Sequence, residues 1–300
     1  MRVLISGASG LIGGALRLRV AGEGHETATL VRRAPRENEV QWSPGQVLDP
    51  AKLAGFDAVV HLAGKSIAGR WTETFKQEVR DSRVEGTRTL ATAAAESFRL
   101  TGMPRALIAA SAIGYYGDRG DEILTEESGP GTGFLPEVCT AWEAAADPAR
   151  EAGLRVAHMR IGVVLAKNGG ALPPLLLPFR LGLGGVIGSG NQWWSWVALE
   201  DVVGAFAFAL ENDSVNGPVN VVAPNPARVS DFVRTLGRVL HRPTLFPLPG
   251  FAVRTLLGEM GQSLLLDSAR VVPQKLEQGA YRFEYIDLNS ALRAALLGKK

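Results

Sequence analysis

The chain has 300 residues, of which 46% are hydrophobic and 21% charged, with 32 Lys plus Arg against 30 Asp plus Glu. That length suits one large α/β domain or one domain with a smaller lobe, and the composition is that of an ordinary globular protein. A formal charge of +2 gives no electrostatic footprint for nucleic acid, and the single Cys139 excludes an intramolecular disulfide and any multi-cysteine metal site.

Residues 2–6 form a short β-rich run, 11–22 have helical spacing, and 26–31 are β-like again. Only Val3-Leu4-Ile5 precede the first glycine cluster, too short for the apolar region of a signal peptide, and a cytoplasmic location is expected. Residues 57–62 and 106–110 are compact apolar runs of the kind buried on both faces of a parallel sheet. Long helical patterns at 73–98 and 136–152 separate the strands, which indicates βαβ units, and 155–164 reads as a further strand. From 166 to 195 the periodicity is lost, and the segment is expected to lie over the strand ends. Pro173, Pro174, Pro178 and Arg180 break its most apolar part, so no membrane span is expected. Residues 200–212 read as helix, 218–222 as strand and 231–240 as helix, and the tail from Leu245 completes a smaller lobe.

The run Gly7-Ala8-Ser9-Gly10-Leu11-Ile12-Gly13 follows a strand and opens a helix. A strand turning sharply into a helix can present free amides to a pyrophosphate. Gly7 permits the turn, Gly10 clears the phosphate path, and Gly13 lets the helix pack closely. The second strand ends in Arg32 and Arg33, where a site selective for NAD carries an acid for the ribose. Two guanidinium groups there suit a 2′-phosphate, so NADP(H) is the expected cofactor; a solvated basic turn is the plain alternative. The expected fold class is α/β, a Rossmann-like doubly wound parallel sheet with a smaller C-terminal substrate lobe. Residues 1–165, with 196–223 returning to them, form the NADP(H)-binding domain, and 166–195 with 224–300 form the lobe.

The glycine spacing resembles that of the extended short-chain dehydrogenases/reductases. The segments His61-Leu62-Ala63-Gly64, Arg70-Trp71, Ser82-Arg83, Ser111 to Gly117, Trp142-Glu143 and 176–185 are similar to its atypical epimerase-family branch, the short-chain dehydrogenase family 39U. Bacterial members of that branch are labelled nucleoside-diphosphate-sugar epimerases or cell-division inhibitors. The resemblance implies that Ser9, Leu11 and Ile12 join the glycines at the phosphates and that Arg32 meets the adenosine phosphate. It also implies that Leu62, Ala63 and Gly64 line the cofactor at the end of the fourth strand. Glu78 and Arg83 would face the same groove, though a solvated helix pair is equally open. Arg160 would lie nearby, with a structural ion pair as its alternative.

Dehydrogenases of this class use Ser or Thr, Tyr and Lys, with Tyr as acid/base. Ser111 ends a predicted strand, where that Ser is expected, but no tyrosine among Tyr115, Tyr116, Tyr281 and Tyr285 has Lys four residues later. The region about 25 residues after Ser111, where the resemblance places the Tyr, has neither Tyr nor Lys. Ser111, Tyr115 and Tyr116 are therefore the catalytic candidates, with packing as the alternative for the tyrosine pair. Lys65 is a further nearby cation. Cys139 reads as a buried helix residue, His61 as a satisfied core residue, and no histidine has metal-ligand spacing. On the substrate side, Trp193, Trp194 and Trp196 either stack on a ligand or fill core, and 175–185 would roof the pocket, with Arg180 its one strong anion contact.

These residues favour an NADP(H)-dependent oxidoreductase acting on a small carbonyl or alcohol, with Ser111 at the reaction centre. Two alternatives stand beside it: an NADP(H)-binding sensor or regulatory protein without turnover, and a nucleotide-sugar epimerase or dehydratase. The partner expected is a small molecule, with no nucleic acid, no membrane and no metal; monomer and dimer are both open.

Overall fold

The computed structural model describes residues 1–298. Seven parallel strands form the main sheet: β1 (Arg2–Ser6), β2 (Glu26–Val31), β3 (Glu39–Gln41), β4 (Ala58–His61), β5 (Ala106–Ala112), β6 (Arg155–Ile161) and β7 (Gly217–Val221). Their spatial order is β7-β6-β5-β4-β1-β2-β3, so the order reverses between β1 and β4. Open α/β sheets bind ligands at such a switch point, beyond the carboxyl ends of the strands.

Helices cover both faces. On one side lie α1 (Leu11–Gly22) and α6 (Leu199–Glu211), packed on Val3, Ile5, Ala58, Val60, Ile108 and Met159. On the other lie α2 (Glu73–Thr101) and α4 (Asp147–Glu151), packed on Leu4, Val59, Leu107 and Val156. Burial on both faces explains why these strands read as unbroken apolar runs. Thr72 caps α2 at the amide of Phe75, and Gly102 closes the helix with φ +75°.

The helical pattern at 136–152 is two helices, α3 (Phe134–Ala144) and α4, not one. The strand expected at 155–164 also divides: Gly162 separates β6 from a second strand, Val163–Ala166, which pairs with Trp196–Ala198. A Cβ at Gly162 would lie 2.4 Å from the Ser195 carbonyl oxygen, so the chain crosses its neighbour where only glycine fits. The segment expected to be irregular contains α5 (Leu172–Arg180). With α7 (Val229–Leu240), α8 (Gly250–Gly261) and α9 (Leu288–Leu297) it encloses a second core around Trp194, Trp196, Phe179 and Phe232.

Candidate functional site

At the switch point, β1 turns into α1 through Gly7, with φ +70°. A Cβ on Gly7 would lie 2.8 Å from the Ala63 amide nitrogen, and one on Gly13 would lie 2.3 Å from the Gly7 carbonyl oxygen. The turn is thus wedged between β4 and α1 with no room for side chains. Gly10 differs: a Cβ there would meet only the Gly7 oxygen, at 3.3 Å, and its outer side is open. No side chain caps the first turn of α1 and no acidic residue lies in it. Ser9 and Gly10 are exposed, and Leu11 and Ile12 half-buried. An uncapped helix N-terminus with an open glycine before it fits a pyrophosphate.

The end of β4 is fixed from β1. Ser6 Oγ accepts the amides of Leu62 at 3.1 Å and Ala63 at 3.3 Å, and lies 2.6 Å from His61 Nδ1. With two donors already on it, the hydroxyl gives its own proton to Nδ1, which leaves the ring proton of His61 on Nε2. Nε2 is buried with no hydrogen-bond partner, and the Trp42 ring stands edge-on 5.8 Å away. The expectation of a satisfied core histidine is corrected to one nitrogen bonded and one not. Burial holds its pKa down at about 4.

The two arginines after β2 part ways. Arg33 donates to both oxygens of Glu39, at 2.6 and 2.7 Å, and to the Ala34 carbonyl. Arg32 is exposed and forms no ion pair among the described residues. Glu39, the acid nearest Arg33, is held by that guanidinium and by the amide of Arg36.

Glu78 and Arg83 converge on one residue, Lys65. Glu78 pairs with its ammonium, and Arg83 Nη1 donates to its carbonyl at 2.9 Å. Arg83 is thereby held under Gly64, where a Cβ would lie 3.6 Å from the guanidinium. It also lies 5.1 Å from the Trp142 ring. Glu78 stays exposed.

At the end of β5 the three catalytic candidates meet Arg160, which is in register with Ser111 on β6. Arg160 pairs with both oxygens of Glu143, each at 2.8 Å, donates to the Tyr116 hydroxyl at 3.0 Å, and lies 3.5 Å from the Tyr115 ring centroid. Ser111 donates to Glu143 at 2.7 Å and is 2% exposed. Tyr116 is fully buried, its hydroxyl shared between the Thr125 carbonyl and Asn220. Burial pushes that phenol up to about 12. The hydroxyls of Ser111 and Tyr116, two of the catalytic candidates, are thus both engaged in a buried network of protein groups. Arg160 is likewise an ion-pair partner within this network. Tyr115 is half-buried and its hydroxyl has no protein partner among the described residues. On α3, one face carries Leu135, Cys139 and Glu143; Cys139 is buried and its thiol is pushed up to about 12, first by burial and then by Glu143.

Sequence reasoning missed Ser6, Glu143 and Asn220. Glu143 was signalled, because an arginine inside an apolar strand needs a carboxylate, and α3 offers few. Nothing local marked Ser6 or Asn220. Of the three tryptophans at 193, 194 and 196, Trp194 and Trp196 fill the second core, and Trp193 reaches the surface, donating to Asp121 at 2.6 Å. The roof expected at 175–185 buries Leu176 and Phe179 while Leu177, Arg180 and Leu181 face outward. Among the described residues no cluster of His, Cys, Asp and Glu could hold a metal ion, and no helix is long and apolar enough to cross a membrane.

Residues 3–222 match the family described as NAD dependent epimerase/dehydratase, and residues 248–295 match a domain of unknown function, DUF1731. An epimerase family protein of Mycobacterium bovis is 42% identical over 293 residues, covering 97% of this chain and 96% of that one. The crystal structure of human epimerase family protein SDR39U1 with NADPH is 34% identical and superposes with a TM-score of 0.88 over 100% of both chains. A structure described as the nucleoside-diphosphate sugar epimerase from Corynebacterium glutamicum is 38% identical, with a TM-score of 0.81 over 99% of this chain and 58% of that one.

Proposed function

The chain belongs to the NAD dependent epimerase/dehydratase family, and from that premise we propose that it binds NADP(H) and exchanges hydride with a small carbonyl or alcohol. Human SDR39U1, similar along its whole length, was solved with NADPH. In this chain the turn at Gly7, Ser9, Gly10, Leu11, Ile12 and Gly13 would hold the pyrophosphate, Arg32 the 2′-phosphate, and Leu62, Ala63 and Gly64 the adjoining ribose. Arg33 would have to leave Glu39 to take part. When bound, the cofactor supplies or accepts the hydride at its nicotinamide.

The protein's part is then a proton at the substrate oxygen. The observation that carries the reading is that Tyr115, alone of the three candidate hydroxyls, is not committed to a protein partner among the described residues, while Arg160 lies 3.5 Å from its ring centroid. Tyr115 takes the role of proton donor. Arg160 fixes its ring, and Ser111, Glu143 and Tyr116 hold Arg160. The test is a panel of carbonyl compounds assayed by NADPH oxidation, followed by substitution on the best substrate. Tyr115→Phe should lower turnover by about 100-fold or more, the usual contribution of a positioned acid. Full activity in Tyr115→Phe would refute the assignment.

A second reading, cofactor binding without turnover, is favoured by the face of α3. Leu135 carries no proton, the Cys139 thiol is held up at about 12, and Glu143 is engaged by Arg160. NADPH binding by calorimetry with no carbonyl reduced anywhere in the panel would select it. Nucleotide-sugar epimerisation has only the names of relatives in its favour. The outward-facing Arg180 offers little to hold a diphosphate.

A further inference from the structure

Two segments distant in sequence run side by side on the outside of the second core. The amide of Phe246 donates to the Gly184 carbonyl at 3.2 Å and that of Leu248 to the Val186 carbonyl at 2.8 Å. Arg242 Nε reaches the Arg180 carbonyl at 2.9 Å. This register lays residues 180–186 along 242–248. This strip of paired backbone carries Leu181, Leu183, Leu245 and Phe246, at 65, 56, 75 and 57% exposure. Leu177, one helical turn before Leu181, is 66% exposed and extends the strip along α5.

Beside the strip lies a shallow hollow of about 850 Å³, lined by Asp231, Arg234, Thr235, Arg238, His241 and Arg242 among others. Its single carboxylate, Asp231, is taken by Arg234 at 2.5 Å. Arg238 donates only to the Thr235 hydroxyl, and Arg242 only to the carbonyls of Arg180 and His241. Their charges have no carboxylate against them among the described residues, and Arg180 is exposed at the junction of hollow and strip. One arginine near the carboxyl end of α7 is accounted for by the helix dipole; Arg238 and Arg242 together exceed that need.

Single exposed leucines are ordinary. Five large apolar side chains in one strip, beside arginines that lack carboxylates, mark a contact surface. Their degree of exposure bears on what the surface touches. Side chains that line a groove for a peptide are shielded by its walls, whereas these stand more than half clear of the protein. Protruding Leu and Phe beside arginines suit a soft, negatively charged phase into which the apolar tips sink while guanidinium groups meet phosphates. We propose that this face rests on an anionic lipid surface, with Leu181, Leu183, Leu245 and Phe246 in the headgroup boundary and Arg180, Arg238 and Arg242 at the phosphates. The sequence expectation of no membrane partner came from the absence of a span. A peripheral contact assembled from two segments lies outside that test.

Co-sedimentation of the full chain with large vesicles tests this, comparing phosphatidylcholine containing one-third phosphatidylglycerol with phosphatidylcholine alone. The chain should pellet with the anionic vesicles and be released by salt. Arg238→Gln and Arg242→Gln should each weaken partitioning roughly fivefold, the scale for one basic residue near such a surface. Leu181→Ser with Phe246→Ser should weaken it at low salt as well. None of the four residues touches the cradle or the β5 network, so unchanged NADPH affinity and melting temperature certify that the variants are folded. A chain that stays in the supernatant with anionic vesicles overturns the proposal. So does equal pelleting with neutral ones. Binding of an acidic amphipathic peptide to this face without vesicle binding also overturns it, in favour of a protein partner.

Discussion

Gly10 and Gly13 lie three residues apart in one turn, yet the structure assigns them opposite sensitivities. At Gly13 a methyl group would sit 2.3 Å from the Gly7 oxygen and 2.8 Å from its carbonyl carbon. Both contacts are to backbone, so α1 must move off the turn. Overpacking of this kind costs about 1–3 kcal/mol, which more than offsets the 0.5–1 kcal/mol or so that alanine normally gains over glycine inside a helix. For a chain of this length Gly13→Ala should melt roughly 2–4 °C lower. At Gly10 the backbone is extended, with φ −80° and ψ 173°, and suits a β-branched residue. The nearest atom to its Cβ is 3.3 Å away, so Gly10→Val should lose only the modest preference for glycine at a helix start, within about 1 kcal/mol. Its side chain then fills the space left open in front of the helix amides. NADPH affinity should fall by at least about 100-fold, or 2.7 kcal/mol, in a protein of nearly unchanged stability. Thermal melts and titration calorimetry on both variants make the check. Parental affinity in a folded Gly10→Val protein would mean that phosphates do not sit at this turn.

Three other outcomes follow from the same geometry. NADPH should bind more tightly than NADH, and Arg32→Ala should narrow that preference roughly tenfold, with Arg33→Ala doing less because Glu39 already engages it; equal affinities in the parent protein would rule out the 2′-phosphate contact. His61 is held down at about 4 when folded against 6.5 when free, so below pH 6.5 the unfolded chain takes up the proton first. Stability present above pH 6.5 should therefore be lost as pH falls toward 4, by about 3 kcal/mol from this group, and a pH series of melts on His61→Gln should show a shallower slope. Cys139, pushed up to about 12, should resist alkylation at pH 8 in the folded protein, whereas labelling as fast as in denaturant would contradict its burial.

Most of the sheet was readable because its strands carry apolar runs and the helices between them have a clear period. The bounds of β1, α1 and β2 coincide with the sequence reading. Where the reading failed, the cause was tertiary or too short to register. β3 is three residues long at the sheet edge, and its place is known only from pairing with β2. α5 was hidden because Pro173 and Pro174 sit in its first turn, where proline is tolerated, while Pro178 interrupts the interior. The cradle was legible because its glycines are local. The bonds from Ser6 to His61 and from Ser111 to Glu143 join residues 55 and 32 positions apart, and no window of sequence contains either pair. The face on which Ser111 lies was illegible too, since a strand buried on both sides shows no alternation.

The pairing of Arg160 with Glu143 separates a stabilising role from a positioning one. Arg160 and Glu143 side chains are 3% and 13% exposed, and each guanidinium–carboxylate contact is at 2.8 Å. Removing the carboxylate alone, in Glu143→Leu, leaves a buried cation and should cost about 3–5 kcal/mol. Removing both charges, in Glu143→Leu with Arg160→Met, should return much of that loss, because the pair's mutual attraction is largely cancelled by the cost of taking both ions out of water. If Arg160 only fills space, the double variant should then work as well as the parent. If Arg160 places the Tyr115 ring, the double variant should keep its NADPH affinity and most of its stability but lose turnover, as Tyr115→Phe does. A double variant with full turnover would remove Arg160 from the chemistry. One no more stable than Glu143→Leu would show that the network's remaining hydrogen bonds, through Ser111 and Tyr116, depend on the charges themselves.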